Sequence, residues 1–216
     1  MILPAVFGER GRPLRLLCLG AHSDDIEIGC GGTVLRLLAE HPGSHVTWMA
    51  LASNAERERE ARESATEFLE TAGSREIVVK AFRDGYFPYQ GAEIKDVFEA
   101  TKPAKPDLIL THHRADRHQD HRLIAELTWN TFRDHLILEY EIPKYEGDLG
   151  TPNLFVPLPE AVARRKIALI LRYFRSQGGR RWFRAENFEA VMRLRGIECN
   201  APDGMAEAFH ATKMVI

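Results

Sequence analysis

The chain has 216 residues, of which 44% are hydrophobic, and its 29 basic and 31 acidic residues give a formal net charge of -2. This length and apolar content suit one globular domain with a substantial core, and we expect a single domain over residues 1–216. The nearly balanced charge provides no overall field that would attract nucleic acid or an anionic membrane, so we expect neither as a partner.

Two further features of the sequence indicate a protein of the reducing cytoplasm. No stretch approaches the roughly 20 apolar residues of a membrane span, and the N-terminal segment lacks the apolar run of a secretory signal. The cysteines, Cys18, Cys30 and Cys199, show no paired spacing of the redox or zinc-finger type. We therefore expect a cytoplasmic protein without disulfides.

Strand and helix patterns alternate along the first part of the chain. Short apolar runs that are typical of buried strands cover residues 14–20, 46–52, 77–82 and 107–111. Helical patterns lie between and after them, at residues 32–40, from the cap Asn54 to about residue 72, at 92–101 and at 118–134. This alternation predicts a single-domain α/β fold, with a Rossmann-like, mostly parallel sheet and helices on both faces. In such sheets the active site lies at the carboxyl ends of the strands.

The pattern weakens after residue 135. Residues 136–142 predict one more strand, and residues 143–159, rich in Pro and Gly, predict a long loop over the site. Two helical patterns at 160–175 and 185–195 precede a final apolar tail.

Basic residues crowd the region between the last two helical patterns, where Gly178 and Gly179 should break the helix. The arginines concerned are Arg172, Arg175, Arg180, Arg181 and Arg184. One interpretation is a loop that clamps a phosphate, because the planar guanidinium suits phosphate oxygens. The alternative is that these arginines lie on solvated helix faces or in a subunit contact.

The first segment that carries chemistry is His22-Ser23-Asp24-Asp25, directly after the first predicted strand. A histidine and a carboxylate three residues later, on a turn at a strand end, can supply two ligands to one Zn²⁺. Asp24 cannot easily point the same way as Asp25, which leaves it free to act on a metal-bound water. The alternative is that one aspartate caps a helix and His22 is an exposed loop residue. The glycines that follow lack the full G-x-G-x-x-G pattern, so we expect no dinucleotide site.

The second such segment, residues 112–121, holds four of the nine histidines of the chain. If a helix begins near His118, then His118 and His121 share one face of it. One of them can then bind a metal while the other stands beside the substrate. The alternative is a solvated turn that happens to be rich in histidine. Both segments follow predicted strands, which favours a shared site at one edge of the sheet.

The two segments together resemble a known family. AHSDDIEIGCGG and the downstream HQDH are similar to AHPDD-x-x-x-G-x-G-G and H-P-D-H, the signatures of the LmbE-like, or PIG-L, zinc N-deacetylases. The resemblance runs from about residue 14 to 125 and returns weakly at residues 205–209. Ser23 and Gln119 replace the usual prolines, which stiffen the backbone but supply no ligand, so the departure concerns loop rigidity.

The resemblance implies a role for each matching residue. His22, Asp25 and His121 would hold one Zn²⁺ per chain, and Asp24 would be the general base. Three protein ligands leave a position for water, whose pKa falls to about 7 on zinc. His118 would stand, protonated, beside the developing oxyanion, oriented by Asp120.

The resemblance also places four residues at the rim of the substrate pocket: Arg57, Glu60, Asp84 and Glu207. The alternative for the first two is a solvated helix face, because residues 56–63 alternate in charge.

The implied activity is removal of an acetyl group from an N-acetylated amino sugar, such as an N-acetylglucosamine unit, or from a sugar conjugate. The main binding partner would be the small-molecule substrate. The sequence is also compatible with a homo-oligomer. One alternative is a zinc amidohydrolase that acts on a different small N-acyl compound. Another is a metal-binding module without turnover. Asp24, His118 and Asp120 argue against the module, because a purely structural zinc site closes its fourth position with Cys or His.

Overall fold

The computed structural model describes residues 11–214, which form one seven-stranded sheet enclosed by α-helices. The strands are β1 (Arg15–Gly20), β2 (His45–Ala52), β3 (Ser74–Phe82), β4 (Leu108–His112), β5 (Leu136–Tyr140), β6 (Leu154–Pro157) and β7 (Ala206–His210). The helices are α1 (Asp25–Glu40), α2 (Ala55–Phe68), α3 (Gly91–Thr101), α4 (Gln119–Thr131), α5 (Glu160–Tyr173) and α6 (Ala185–Cys199). Short 3-10 turns lie at Phe87–Tyr89, Lys102–Ala104 and Arg175–Gln177. Within this part of the chain, no helix has the length and apolar character that a membrane span requires.

The sheet has the strand order β3-β2-β1-β4-β5-β7-β6. Its first five strands run parallel, and β7 is antiparallel to both of its neighbours. The predicted α/β class and the mostly parallel, Rossmann-like sheet are therefore confirmed. From β1, the next strands in sequence are added toward one edge of the sheet, and from β4 they are added toward the other edge. The direction in which strands are added therefore reverses between β1 and β4. In parallel sheets a binding crevice forms outside the carboxyl ends of the strands at such a reversal.

Helices cover both faces of the sheet because the central strands are apolar on both sides. Successive side chains of a strand point to opposite faces. Leu16 and Cys18 of β1 therefore join one core, while Leu17 and Leu19 join the other. The first core takes residues of α1, α2, α5 and α6, among them Val34, Phe68, Ile170 and Phe188. The second takes residues of α3 and α4, among them Ile94, Phe98 and Ile124.

Helix α1 begins at Asp25, earlier than the helical pattern at residue 32 suggests. Gly29 and Gly31, which precede the predicted helix, therefore lie inside α1. A Cβ atom at Gly29 would lie 2.2 Å from Cδ2 of Tyr140, so only glycine allows α1 to pack this closely on β5. The early start makes Asp25 the first helical residue and brings it to the end of β1.

The C-terminal third differs most from the predicted elements. β6 lies inside the predicted loop of residues 143–159, and β7 lies in the predicted apolar tail. β7 is a short strand between two others, and its sequence AEAFH contains the charged Glu207 and no β-branched side chain, so it lacks the residues that are typical of a strand. Its position depends on tertiary contacts that a local pattern does not contain.

Candidate active site

The loops that follow β1 and β4 form two walls of one cleft of about 300 Å³. One loop joins Gly20 to Asp25, and the other joins His112 to Gln119. Because these strands are neighbours and parallel, the two sequence motifs meet at their carboxyl ends. The lining includes His22, Asp24, Asp25, Arg57, Asp84, His118 and His121, together with Lys144, Tyr145, Glu146, Gln177, Arg180 and Trp182.

Three donor atoms in the cleft lie at the mutual spacing that one metal ion requires. His22 Nδ1 is 3.1 Å from His121 Nε2 and 3.2 Å from Asp25 Oδ2. His121 Nε2 is 3.5 Å from the same Asp25 oxygen. Tetrahedral Zn²⁺ with bonds of about 2.0–2.2 Å separates its donors by about 3.3–3.6 Å. The donors fit one tetrahedral ion, and His118 and His112 belong to overlapping groups that could hold a metal.

A carboxylate behind His121 fixes which ring nitrogen faces the cleft. His121 Nδ1 donates a hydrogen bond to Asp116 Oδ2 at 2.9 Å, which leaves the Nε2 lone pair free. Lys144 Nζ contacts the same carboxylate oxygen at 2.7 Å. Burial, together with the neighbouring His112, lowers the pKa of His121 to about 4, so the ring is neutral at pH 7, as a metal ligand must be. Sequence reasoning missed Asp116 and Lys144, although Asp116 lies inside the second histidine-rich segment.

The charges around the other two donors are strongly coupled. Burial raises the pKa of Asp25, but His121, His22 and His112 lower it more, and the net pKa lies well below its ordinary value. Burial lowers the pKa of His22, but the carboxylates of Asp25, Asp120 and Asp84 raise it well above its ordinary value. A proton and a metal ion compete for His22 Nδ1, so metal binding here depends on pH.

Asp24 lies at the N-cap position of α1, but its side chain makes no capping hydrogen bond. Its Oδ1 instead accepts a hydrogen bond of 2.6 Å from Arg57 Nη2. Burial raises the pKa of Asp24, and the positive charge of Arg57 offsets only part of this. A carboxylate of raised pKa beside a group of metal donors is suited to take up and return a proton.

His118 and Asp120 occupy the start of α4. His118 is the N-cap residue, and its Nδ1 accepts a hydrogen bond of 3.3 Å from the backbone N–H of Asp120. The Asp120 carboxylate accepts hydrogen bonds from the backbone N–H groups of Gly85 and Phe87, at 2.6 and 3.1 Å. It also lies 3.3 Å from His22 Nε2. The carboxylate therefore contacts His22 and the turn after β3, whereas the resemblance implied that it orients His118.

The protonation of His118 also differs from the implied role. Burial, with the neighbouring His22, lowers the pKa of His118, which favours the neutral ring. Its ring stays beside the donor group, with its centroid 4.9 Å from that of His22 and 4.6 Å from that of His121.

Of the four residues expected at the rim, Arg57 and Asp84 line the cleft. Asp84 Oδ1 is 3.0 Å from His22 Nε2, and its side chain is 68% exposed. Glu60 is buried and accepts hydrogen bonds from the backbone N–H and the hydroxyl of Ser176. The fold does not bring it to the cleft, because it lies on the face of α2 that packs inward.

Glu207 does not reach the cleft either. Its buried carboxylate accepts hydrogen bonds from the backbone N–H groups of Gly32 and Thr33, at 2.8 and 2.6 Å. Lys166 Nζ donates to the same carboxylate at 2.6 Å. Glu207 therefore fastens β7 and α5 to the middle of α1.

Comparisons with known proteins agree with this geometry. The sequence profile of the PIG-L family, GlcNAc-PI de-N-acetylase, matches residues 17–132. The uncharacterised deacetylase YaiS of Escherichia coli K12 is 28% identical over 179 residues, which cover 78% of this chain and 95% of that protein.

Two solved structures share the fold. The N,N'-diacetylchitobiose deacetylase of Pyrococcus horikoshii has a TM-score of 0.74 and 20% identity, covering 97% of this chain and 86% of its own. The 4-carboxy-2-hydroxymuconate hydratase of Pseudomonas putida KT2440 has a TM-score of 0.69 and 17% identity, covering 94% and 98%. The second is described as a hydratase, so the fold alone does not define the reaction. The match at residues 17–132 spans more than half of the chain and contains both motifs of the cleft, and the chain therefore belongs to the PIG-L (LmbE-like) family of de-N-acetylases.

Proposed function

We propose that the protein is a zinc-dependent hydrolase that removes the acetyl group from an N-acetylated amino sugar or sugar conjugate. The observation that carries the proposal is the group of three donor atoms from His22, Asp25 and His121, spaced 3.1 to 3.5 Å apart beside Asp24. Family membership supports amide hydrolysis as the chemistry. The sugar part rests on the structural neighbour from Pyrococcus horikoshii, whose name identifies an N-acetylated disaccharide as its substrate. In this proposal, residues 1–216 form one domain and the enzyme acts in the cytoplasm.

The metal would be held by His22, Asp25 and His121, one ion per chain. When bound, Zn²⁺ supplies a Lewis acid that makes water acidic enough to lose a proton near neutral pH. Two histidines and one carboxylate are a donor set that zinc takes in catalytic sites.

Asp24 is the proposed proton carrier. It takes one proton from the attacking water as the oxygen of that water bonds to the acetyl carbon. When the C–N bond breaks, Asp24 returns the proton to the departing nitrogen, so the products are acetate and a free amine. The ion pair with Arg57 orients the carboxylate, and its raised pKa reduces the cost of holding the proton in between.

His118 is the proposed donor to the acyl oxygen. Because its Nδ1 accepts the N–H of Asp120, the proton of the neutral ring lies on Nε2. An N–H group beside the carbonyl stabilises the negative charge that develops on its oxygen, and this requires no positive charge on the ring. Asp120, through its contact with His22, is the proposed positioning residue for that ligand.

Three proteins test the proposal: the wild type, His121→Ala and Asp24→Asn. Metal analysis should give about one zinc per chain in the wild type and in Asp24→Asn, and a large loss in His121→Ala. Acetate release from N-acetylglucosamine and diacetylchitobiose should fall by about 10²- to 10⁴-fold in Asp24→Asn. An Asp24→Asn protein with nearly unchanged turnover would contradict the role of Asp24.

A second set of substrates distinguishes the alternatives. N-acetyl amino acids, assayed beside the sugars, report on a zinc amidohydrolase for other small N-acyl compounds. Turnover of these compounds alone would contradict the sugar part of the proposal. A zinc-loaded wild type that releases acetate from neither set would indicate a metal-binding module.

A further inference from the structure

One wall of the cleft comes from the segment between α5 and α6. We call residues 176–183 the 176–183 loop. It contributes Gln177, Arg180 and Trp182 to the lining. Tyr145, which also lines the cleft, comes from the loop after β5 and is 80% exposed. Neither segment belongs to the metal-binding motifs, so both are free to contact the part of a substrate that lies away from the acetyl group.

The 176–183 loop is held in place from behind. At its start, Glu60 of α2 accepts hydrogen bonds from the backbone N–H and the hydroxyl of Ser176, at 2.8 and 2.6 Å. At its end, Phe183 is buried and packs edge-on against Phe188, with ring centroids 5.5 Å apart. Anchors at both ends keep the intervening side chains at the cleft. Glu60 thus contacts the start of this loop and not the cleft itself.

The permanent cations of the cleft differ in what they pair with. Arg57 is paired with Asp24 at 2.6 Å. Lys144 is paired with Asp116 and with Asp148, each at 2.7 Å. Arg180 is exposed, and its guanidinium has no carboxylate or hydrogen-bond acceptor among residues 11–214. Arg180 is therefore the cation of this wall that is available to form an ion pair with a negatively charged ligand.

We propose that Arg180 is a specificity residue that binds an oxyanion, a phosphate or a carboxylate, on the N-acetylated substrate. The guanidinium presents a planar pair of N–H donors that suits either group. Trp182, two residues further on, offers an aromatic face for the ring that carries the oxyanion. This inference rests on the proposed function, because it concerns the same cleft and the same substrate.

The test compares compounds that share one sugar and differ in charge. N-acetylglucosamine is the neutral compound, its 1- and 6-phosphates carry a phosphate, and N-acetylmuramic acid carries a carboxylate. In the wild type we expect KM to be lower for at least one charged compound, and added salt to reduce this preference. Arg180→Ala should raise KM for that compound about tenfold, the effect of losing one charge-assisted contact, and leave kcat and the neutral compound unchanged. Arg180→Lys should restore only part of the loss.

Arg181→Ala is the matched control, because Arg181 is an exposed neighbour that does not line the cleft. It should behave as the wild type does. Equal changes of KM for charged and neutral compounds in Arg180→Ala would overturn the inference.

Calorimetry with the zinc-loaded proteins reads binding directly, whether or not acetate is released. Binding of a charged compound that depends on Arg180, without acetate release from any compound, would contradict the proposed function and leave the inference standing. Equal affinity for charged and neutral compounds in the wild type would overturn the inference, even if all of them were deacetylated.

Discussion

Among single residues, Asp116 has the clearest influence on the metal donors. It holds His121 by its Nδ1 and is itself held by Lys144. Burial raises the pKa of Asp116, but His121 and Lys144 lower it more, and the net pKa lies well below its ordinary value. The carboxylate therefore stays ionised at neutral pH, and His121 keeps the tautomer that presents Nε2 to the cleft.

We predict that Asp116→Asn weakens zinc binding by about 10- to 100-fold, the usual cost of losing a carboxylate behind a metal-binding histidine. The amide keeps the shape of the side chain but removes the charge. Asp116 accepts from His121 with one oxygen and from the backbone N–H of His118 with the other, so an amide, with one oxygen, must turn its NH₂ group toward one of these donors. Competition with a chromogenic chelator measures the affinity. Asp148→Asn is the control, because Asp148 pairs with Lys144 without contacting a metal donor, and it should bind zinc as the wild type does. Wild-type affinity in Asp116→Asn would show that the contact to His121 is dispensable.

The two motifs, through their positions after predicted strands and their resemblance to a known family, predict which side chains form the centre of the site. His22, Asp24, Asp25, His118 and His121 meet in one cleft because each motif follows a strand of a parallel sheet. The direction of the remaining side chains was not predictable. The resemblance places Glu60 at the rim and the alternating charge of residues 56–63 favours a solvated face, but neither shows that the face of α2 with Glu60 packs inward. The partner of Asp120 depends on the turn after β3, which is distant in sequence.

Among the elements, α1 shows most directly how packing sets the position of the site. Tyr140 is fully buried on β5, and its hydroxyl donates a hydrogen bond of 2.6 Å to the carbonyl of Leu19 on β1. The ring is therefore fixed at both ends and cannot yield to a larger neighbour. Gly29 of α1 lies against this ring, four residues from Asp25.

We predict that Gly29→Ala destabilises the protein by about 1–3 kcal/mol, because the added methyl overlaps the Tyr140 ring. The higher helix propensity of alanine, worth about 1 kcal/mol, does not offset this. Urea unfolding measures the change. Gly91→Ala at the start of α3 is the control, since a Cβ there meets nothing within 4 Å, and it should be neutral or slightly stabilising. Equal stability of the two variants would show that the Tyr140 ring gives way to the added methyl group.

The elements differed in how well a local pattern predicted them. β1, β2 and β4 are almost entirely buried, so their runs of apolar residues predict strands wherever they lie in the sheet. β6 and β7 give no such signal. β6 has only four residues, and β7 contains the charged Glu207, whose partners come from α1 and α5. Both strands depend on contacts between distant segments.

At the scale of the whole molecule, buried ion pairs connect the layers. Lys166 on α5 and Glu207 on β7 form a pair in which both side chains are 3% exposed, and both also contact the backbone of α1. We predict that Lys166→Met costs about 3–5 kcal/mol of unfolding free energy, because it leaves the Glu207 charge buried without a cation. Arg164→Met on the same helix is the control. It breaks an exposed pair with Glu160 and should cost under about 1 kcal/mol. Similar losses in the two variants would contradict the role given to the buried pair.

A second buried pair connects α6 to the sheet. Arg195 on α6 binds the carboxylate of Glu141, next to β5, through two hydrogen bonds of 2.9 and 2.8 Å. The backbone N–H of Gly150 donates to the same carboxylate at 3.1 Å. Burial raises the pKa of Glu141, but contacts with His210 and Arg195 lower it more, so the net pKa is lower in the folded protein than in a free glutamate.

This shift predicts how stability depends on pH. A group whose pKa is lower in the folded state contributes stability above its unfolded pKa, about 4.3 for glutamate, and loses it as the pH falls through the folded value. Glu141→Gln should therefore be less stable than the wild type at pH 7, by about 3 kcal/mol for a broken buried pair, and the difference should shrink below about pH 4. Urea unfolding of both proteins at several pH values measures the difference in unfolding free energy. Taking the difference removes the pH dependence that the other carboxylates contribute equally to both proteins. Glu160→Gln, in an exposed pair, should differ little from the wild type throughout. A difference for Glu141→Gln that stays constant from pH 7 to pH 3 would mean that the carboxylate gains nothing from its charge, and that its hydrogen bonds alone hold α6 to the sheet.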